Sequence, residues 1–359
     1  MDEHNLYMTR CIELARLGAG YVAPNPMVGA VLVYEGRIIG EGYHQRYGEA
    51  HAEVNCVASV KAEDRSLIVK SMLYVSLEPC SHYGKTPPCV DLILREKISI
   101  VVIGCRDVFK LVDGKGIEKL KAAGVEVILG VMEKECKELN KRFFTFHSQH
   151  RPYIVLKWAQ TGDGKIAPPN PLKGEREEPD NRKRLLISNE FSNRLVHKWR
   201  SEEASILVGT NTALQDNPEL TTRLWEGPSP IRLVVDMDLR LPASLKLFNG
   251  EVRTIVFNSI KHEEESKIMY YQVTHDVSLV QQIVNALYHL NIQSVLVEGG
   301  ARSLQSFIDK GMWDEVRRIS NPQLVVHSGL QAPVLANAER TEVLELSGDI
   351  VEIFKPGSN

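Results

Sequence analysis

Residues 71–97 read SMLYVSLEPCSHYGKTPPCVDLILREK, and how this stretch is parsed decides the architecture of the first half of the chain. SMLYVSL is apolar and rich in strand formers, so it predicts a strand that ends at Cys80. PPCVDLILREK predicts a helix whose prolines fall in the first turn, where a missing N–H leaves no bond unmade. SHYGKTPP between them is polar and turn-forming. Cys80 therefore closes a strand and Cys89 opens a helix.

The segments on either side continue the same rhythm. NLYMTRCIELARLG (5–18) places apolar residues at helical spacing, and AVLVYEGRIIGEG (30–42) predicts a hairpin turning at Glu35-Gly36. HAEVNCVASV (51–60) is helical, ISIVVIGCRD (98–107) is a strand, and GIEKLKAAGVEVILG (116–130) is a helix, a glycine stop and a strand. EKECKELNKRFFTFHSQ (133–149) predicts one helix running into Arg151-Pro152, and the domain boundary is set here, at 1–146 and 147–359. SILVG (205–209), IRLVVD (231–236), TIVFN (254–258) and SVLVEGG (294–300) are strands alternating with helices, so both halves are α/β. The proline-rich, charged segment 167–184 predicts a long loop.

Composition narrows the function. The 359 residues suit two domains, and 43% apolar content can fill two cores. The net charge of −3 hides no basic half: residues 1–146 carry 19 basic and 19 acidic side chains, the remainder 24 and 27. A nucleic-acid binder would show a basic excess. No signal peptide and no run of about 18 apolar residues is present, so the expectation is a soluble cytoplasmic protein with no membrane partner, and the charge balance disfavours nucleic acid. All six cysteines fall at or before Cys136, which is no disulfide framework; four are expected to be core thiols and two to do chemistry.

HAEVNC (51–56) supplies what those two need. Alone, His51 and Glu53 are a commonplace pair, and most such pairs are solvated. With Cys80 and Cys89, His51 completes a three-ligand Zn2+ set that leaves one position for water, the open arrangement of catalytic zinc. Glu53, not a ligand, is then placed to move protons from water to a leaving amine. The pattern H-x-E followed by P-C and a second cysteine is that of zinc deaminases, but here eight residues separate the cysteines. The remaining histidines, His147, His150, His197 and His289 among them, are read as surface or interdomain residues.

APNPMVGAVLV (23–33), HAEVNC and EPCSHYGKTPPC (78–89) resemble the deaminase domain of the bifunctional riboflavin-biosynthesis deaminase–reductase family. The resemblance implies a cytidine-deaminase-like α/β/α domain, zinc on His51, Cys80 and Cys89, a Glu53 proton shuttle, and substrate contacts from Asn25, His44, His82 and Lys85. One loop departs: where the family has a DPNP-like turn before GKG, this chain has CRDVFKLVDGKG (105–116), expected to affect substrate fit without touching the zinc ligands.

Three strand–turn segments in the second half, YIVLKWAQTGDGKIA (153–167), SILVGTNTALQDNPELTTR (205–223) and SVLVEGGARSLQSFIDKGMWDEV (294–316), put loops at strand C-terminal ends, where ligands collect in open α/β sheets. Each glycine alone is an ordinary turn residue. Together, in order, they resemble the reductase half of the same family, whose fold is like dihydrofolate reductase. That implies NADPH, with Gln160, Thr212, Asp216 and Gly300, Ala301, Arg302, Ser303, Leu304, Gln305 and Ser306 lining it. It also implies substrate contacts from Arg184, Arg200, Leu220, Arg223 and Glu298, and a dimer or tetramer. TGDG (161–164) and LLIS (185–188) depart from the family's SLDG and WITS. Two other readings stay open: a deaminase, even one acting on nucleic acid, with a degenerate second domain, and a zinc-stabilised scaffold with a dinucleotide-sensing domain.

Overall fold

The structure is a computed structural model that describes residues 3–84, 87–109, 112–167 and 186–357. Lys85 and Arg184, and nearly all of the segment 167–184, lie outside the described residues. The chain divides into two compact units, Met1–His150 and Arg151–Asn359.

The first unit runs α1 (Glu3–Arg16), β1 (Gly29–Tyr34), β2 (Arg37–Tyr43), α2 (Ala52–Ala58), β3 (Met72–Leu77), α3 (Cys89–Arg95), β4 (Ile100–Cys105), α4 (Lys115–Ala122), β5 (Glu126–Leu129), α5 (Glu133–Leu139) and α6 (Lys141–Gln149). The sheet order is β2-β1-β3-β4-β5. β1 is antiparallel to both neighbours, whereas β3, β4 and β5 run parallel. The β1–β2 turn falls at Glu35-Gly36 as the sequence predicts, with both residues at positive φ (46° and 78°), the backbone of a tight hairpin. α1 and α5 pack on one face, α2 and α4 on the other, giving three layers with apolar residues of the strands shared between two cores. α2 lies unusually close to β2. A Cβ added at Gly42 would stand 2.2 Å from the Cys56 amide nitrogen, so glycine is required there for the helix to seat. That seat fixes His51 and Glu53 at the helix start. Cys11, Cys56, Cys105 and Cys136 are buried and free, as core thiols.

One element differs from expectation. Residues 133–149 form two helices, broken at Asn140, whose φ of −108° is not helical. The buried Asn140 side chain instead pairs with Met27, accepting from its N–H at 2.8 Å and donating to its carbonyl at 2.8 Å. Two bonds to a distant loop outweigh one more turn of helix.

The second unit comprises β6 (Tyr153–Thr161), β7 (Lys165–Ala167), α7 (Glu190–Glu202), β8 (Ser205–Gly209), α8 (Thr210–Asp216), β9 (Ile231–Val235), β10 (Thr254–Asn258), β11 (Glu263–Glu265), β12 (Ile268–Gln272), α9 (Leu279–His289), β13 (Ser294–Val297), α10 (Ala301–Asp309), β14 (Glu315–Asn321), β15 (Leu330–Gln331), β16 (Ala338–Leu346) and β17 (Asp349–Pro356). Its main sheet is ordered β11-β12-β10-β9-β8-β13-β6-β14-β17-β16. From β12 to β14 every neighbouring pair is parallel. α9 and α10 cover one face, α7 and α8 the other. Central strands are thus buried on both sides, which is why SVLV reads as a continuous buried run and not an alternation. Asn189 caps α7 by accepting from Ser192 N–H at 2.9 Å. Among the described residues, no helix is long and apolar enough to cross a membrane.

Candidate active sites

His51, Cys80 and Cys89 come from three element ends. His51 precedes α2, Cys80 follows β3, and Cys89 opens α3. His51 Nδ1 lies 3.5 Å from Cys80 Sγ and 3.3 Å from Cys89 Sγ. All three donor atoms fall within 4.8 Å of one another. A tetrahedral zinc with ordinary bond lengths holds nitrogen and sulfur about 3.6 Å apart, so the donor set fits zinc in both chemistry and spacing. The Cys89 thiol, the His51 ring and the Cys89 N–H hold the Cys80 thiol well below the usual thiol range. The Cys80 sulfur in turn pushes Cys89 up. The His51 ring is raised, first by its hydrogen bond to Cys80. Glu53 is 3% exposed, and burial, then the neighbouring Cys80 charge, raises its carboxyl above the ordinary range. A buried carboxyl raised in this way is suited to carry a proton.

Asn25 and His44 join this group. The His44 ring is 2% exposed and donates from Nδ1 to the Ala50 carbonyl at 3.0 Å, so Nε2 is left to accept from Asn25 Nδ2 at 3.1 Å. Burial lowers the His44 pKa, in keeping with a neutral ring. The His44 and His51 rings meet edge-on at 5.3 Å. His82 stands apart from this chain of contacts: its ring neighbour is Phe109, at 6.1 Å.

The departing loop is fastened to Glu78 and Pro79, the two residues before Cys80, and not to the three ligands themselves. The buried Glu78 carboxylate accepts from the N–H groups of Asp107 (3.2 Å), Gly114 (3.0 Å), Gly116 (2.9 Å) and Ile117 (3.3 Å). A Cβ at Gly116 would lie 2.2 Å from the Pro79 carbonyl oxygen. Burial raises Asp107 to about 7, and the Phe109 N–H works against it. Sequence reasoning passed over Glu78, Phe109 and Asn140. Glu78 stood inside the EPC motif, and a carboxylate with four backbone donors can be recognised only once the loop has closed on it.

In the second unit the parallel strands β8, β13 and β6 end on one edge, and β6 runs on past β13 to Thr161. Thr212, Gly299, Gly300 and Ser303 gather there. A Cβ at Gly300 would be 3.1 Å from Thr212 Oγ1, and one at Gly209 would be 3.0 Å from Ser303 Oγ. α10 starts at Ala301, so its first N–H groups face this cluster, a setting that favours phosphate. The side chains of three later cofactor candidates are engaged elsewhere. Leu304 is fully buried in the core, Gln305 bonds Asp309 and Val334, and Ser306 bonds the Arg302 carbonyl. Arg302 is exposed. Asp216 is exposed at the far end of α8, about 9 Å along the axis from Thr210. Gln160 accepts from the Trp158 indole at 2.8 Å, holding its side chain back along β6.

Arg200 and Glu298 form a bidentate pair, with Nε–Oε1 at 3.0 Å and Nη2–Oε2 at 2.6 Å, and Arg200 also donates to the Thr221 carbonyl at 3.3 Å. Burial works to raise the Glu298 carboxyl, but Arg200 and Lys157 hold it below the usual range. Leu220 is 2% exposed with φ of 52°, so its side chain belongs to the core and its backbone turns the loop. Arg223 reaches outward to Glu219 and Thr221.

His197 is not a surface or interdomain residue. It is 2% exposed, and its Nδ1 accepts from Arg223 N–H at 2.9 Å. With Arg200, one turn further along α7, it fastens the 220–223 loop to the helix. Burial, then the Arg200 and Arg223 charges, push the His197 ring from 6.5 down to about 4. Between those values the unfolded chain binds more protons than the folded one. The stability present above pH 6.5 is therefore lost as pH falls toward 4. His197→Asn keeps an acceptor for Arg223 N–H and has no titration. The thermal midpoint of the second unit should fall less between pH 6.5 and 4.5 in that variant; an equal fall in both proteins would remove His197 as the cause.

Comparison with known proteins agrees with this geometry. Residues 1–105 match the cytidine and deoxycytidylate deaminase zinc-binding region, and residues 152–345 match the RibD C-terminal domain. The chain is 38% identical over 362 residues to the riboflavin biosynthesis protein RibD of Aquifex aeolicus, covering 97% of each. It is 37% identical to a Thermotoga maritima crystal structure of a diaminohydroxyphosphoribosylaminopyrimidine deaminase/5-amino-6-(5-phosphoribosylamino)uracil reductase, with a TM-score of 0.85 and 99% of each chain covered. Acinetobacter baumannii RibD superposes with a TM-score of 0.87 at 27% identity, again over 99% of each chain. The first unit is accordingly a cytidine-deaminase-like α/β/α domain and the second an α/β domain of the RibD C-terminal type. Zinc and NADPH are the cofactors that go with them. The zinc triangle beside Glu53, the phosphate-ready end of the second sheet and these matches converge: the chain belongs to the RibD family of riboflavin-biosynthesis proteins.

Proposed function

We propose that this protein hydrolytically deaminates 2,5-diamino-6-(5-phosphoribosylamino)pyrimidin-4-one and then reduces the ribosyl group of the product to ribityl with NADPH. The observation that carries the reading is the His51–Cys80–Cys89 triangle with the buried Glu53 carboxyl beside it. Zinc, when bound there, supplies the Lewis acidity that makes water nucleophilic near neutral pH. Glu53 takes the proton from the attacking water and delivers it to the departing amine, which leaves the ring carbon as ammonia. Asn25 and His44 orient the pyrimidine, and His82 and Lys85 meet the ribosyl phosphate.

In the second unit NADPH supplies hydride. Thr212, Gly300, Ser303 and the first N–H groups of α10 hold its phosphates, with Gln160 and Asp216 at the margins. Arg200, Arg223, Glu298 and the backbone at Leu220 position the ribosyl group, joined by Arg184. Two sites on one chain suit an unstable intermediate. Cytoplasmic location and assembly into a dimer or tetramer complete the reading; its support is the resemblance of both halves to the family. A match to the RibD C-terminal domain over residues 152–345 disfavours a degenerate second domain.

The test follows ammonia release and NADPH oxidation together, with the undeaminated substrate alone. Ammonia should appear first and NADPH oxidation should lag behind it. Oxidation without ammonia, or ammonia without any oxidation, overturns the two-step order.

A further inference from the structure

We infer that Phe109 is a positioning residue of the deaminase site, holding the His82 imidazole in the orientation in which it meets the substrate. This rests on the reading of His82 as a substrate contact. The histidines of this site are held in different ways. His44 is fixed by two hydrogen bonds. His82 is fixed by none among the described residues: its Nδ1 is buried without a partner. Packing alone orients that ring, and the aromatic ring packed against it is Phe109, 6.1 Å away and inclined by 57°.

Phe109 is itself held from behind. Its ring meets His147 at 5.1 Å and 62°, and His147 meets Phe143 at 4.5 Å and 61° and Phe146 at 5.3 Å and 85°. These are the inclined separations that aromatic pairs prefer. A row of rings thus runs from α6 to the 81–88 insert. The Phe109 backbone is pinned as well. Its N–H donates to Asp107 Oδ1 at 2.7 Å, and its carbonyl accepts from Val112 and Asp113 at 2.8 and 3.0 Å. Glu78 then ties Asp107 and Gly114 to the segment that carries Cys80. The ring is therefore placed by the same scaffold that places a zinc ligand.

An ordinary core role explains less. Phe143 and Phe146 are buried core rings, but Phe109 and His82 are only half-buried and sit at the open end of the row. Phe109 also lies in the one deaminase loop, 105–116, whose sequence departs from the family pattern. The inference is thus specific to this chain: a phenyl ring supplies the wall that sets His82.

Deamination kinetics of the zinc-loaded full-length enzyme test it, with Phe109→Leu, Phe109→Tyr, His82→Ala and the Phe109→Leu/His82→Ala double variant. Leucine keeps apolar volume and removes the ring, so folding is retained; zinc content and reduction of the deaminated substrate by the second unit serve as controls. Phe109→Leu should raise KM roughly three- to ten-fold with kcat little changed, Phe109→Tyr should restore it, and the loop variant should add nothing once His82 is gone. Nuclear magnetic resonance of the labelled His82 ring should show its signals displaced in Phe109→Leu and restored in Phe109→Tyr. A raised KM in His82→Ala with Phe109→Leu unchanged overturns the inference and leaves the substrate reading standing. Independent, additive effects overturn it too, because Phe109 would then act elsewhere. An unchanged KM in His82→Ala defeats the reading of His82 itself. Loss of zinc in Phe109→Leu would make the loop a structural support of the metal site and sink the positioning role.

Discussion

Replacing Glu53 by alanine should lower ammonia release by roughly 10²- to 10⁴-fold, the usual contribution of a positioned general acid–base group. Zinc should stay bound, because the three donor atoms that fit it belong to His51, Cys80 and Cys89. The size of the effect follows from location. Glu53 is buried at 3% exposure, and no solvent-borne base can reach the same point at comparable effective concentration. NADPH oxidation from the undeaminated substrate should fail along with deamination, while oxidation with already deaminated substrate should proceed at the wild-type rate. The measurement is paired ammonia and NADPH assays with metal analysis of both proteins. Ammonia release within three-fold of wild type would end the proton-shuttle assignment. Loss of zinc would show that Glu53 supports the metal site and not the proton transfer.

Glu298→Ala should disable the other half. The pair it belongs to is nearly dry, with side-chain exposures of 13% for Arg200 and 6% for Glu298. Removing the carboxylate leaves a buried guanidinium without its charge partner, at a cost of about 3–5 kcal/mol. The Arg200 side chain also holds the Thr221 carbonyl, so the 220–223 loop should loosen with it. Calorimetry should show the second unit unfolding at lower temperature and NADPH oxidation lost, while ammonia release persists. Glu298→Gln, which keeps an acceptor, should fall between the two. Unaltered unfolding with reduction abolished would make the pair a pure substrate contact; unaltered unfolding and unaltered reduction would make it dispensable. The contrast with Glu53→Ala is useful, since each variant should silence one activity and spare the other.

Much of the deaminase site was legible before any coordinates. HAEVNC and the two cysteines of EPCSHYGKTPPC name soft ligands and a non-ligating carboxylate, and the strand and helix patterns place them at element ends. The reductase half was less legible. Its residues are ordinary ones, and their roles depend on which strand ends lie side by side. Thr212 and Ser303 do face the glycine turns. Leu304 was included from its place in a motif, although a helix turns successive side chains by 100° and so sends that one into the core. His197 looked like one more polar residue on a charged helix. Its value as an acceptor for Arg223 N–H exists only because a loop 26 residues later returns to it.

The sequence by itself determined the secondary-structure rhythm, the hairpin at Glu35-Gly36, the identities of the metal donors and the deaminase class, because periodicity, turn chemistry and ligand chemistry are local properties. Tertiary structure alone decided what is made by segments far apart in the chain. It broke the helix at Asn140 for two bonds to Met27, 113 residues away. It gathered four backbone N–H groups onto Glu78 from 29 to 39 residues downstream. It brought Phe109 between His82 and His147. The physical reason is the same in each case: a buried polar group or a packed ring gains its energy from partners that only folding supplies, and no window of sequence contains both members of the pair.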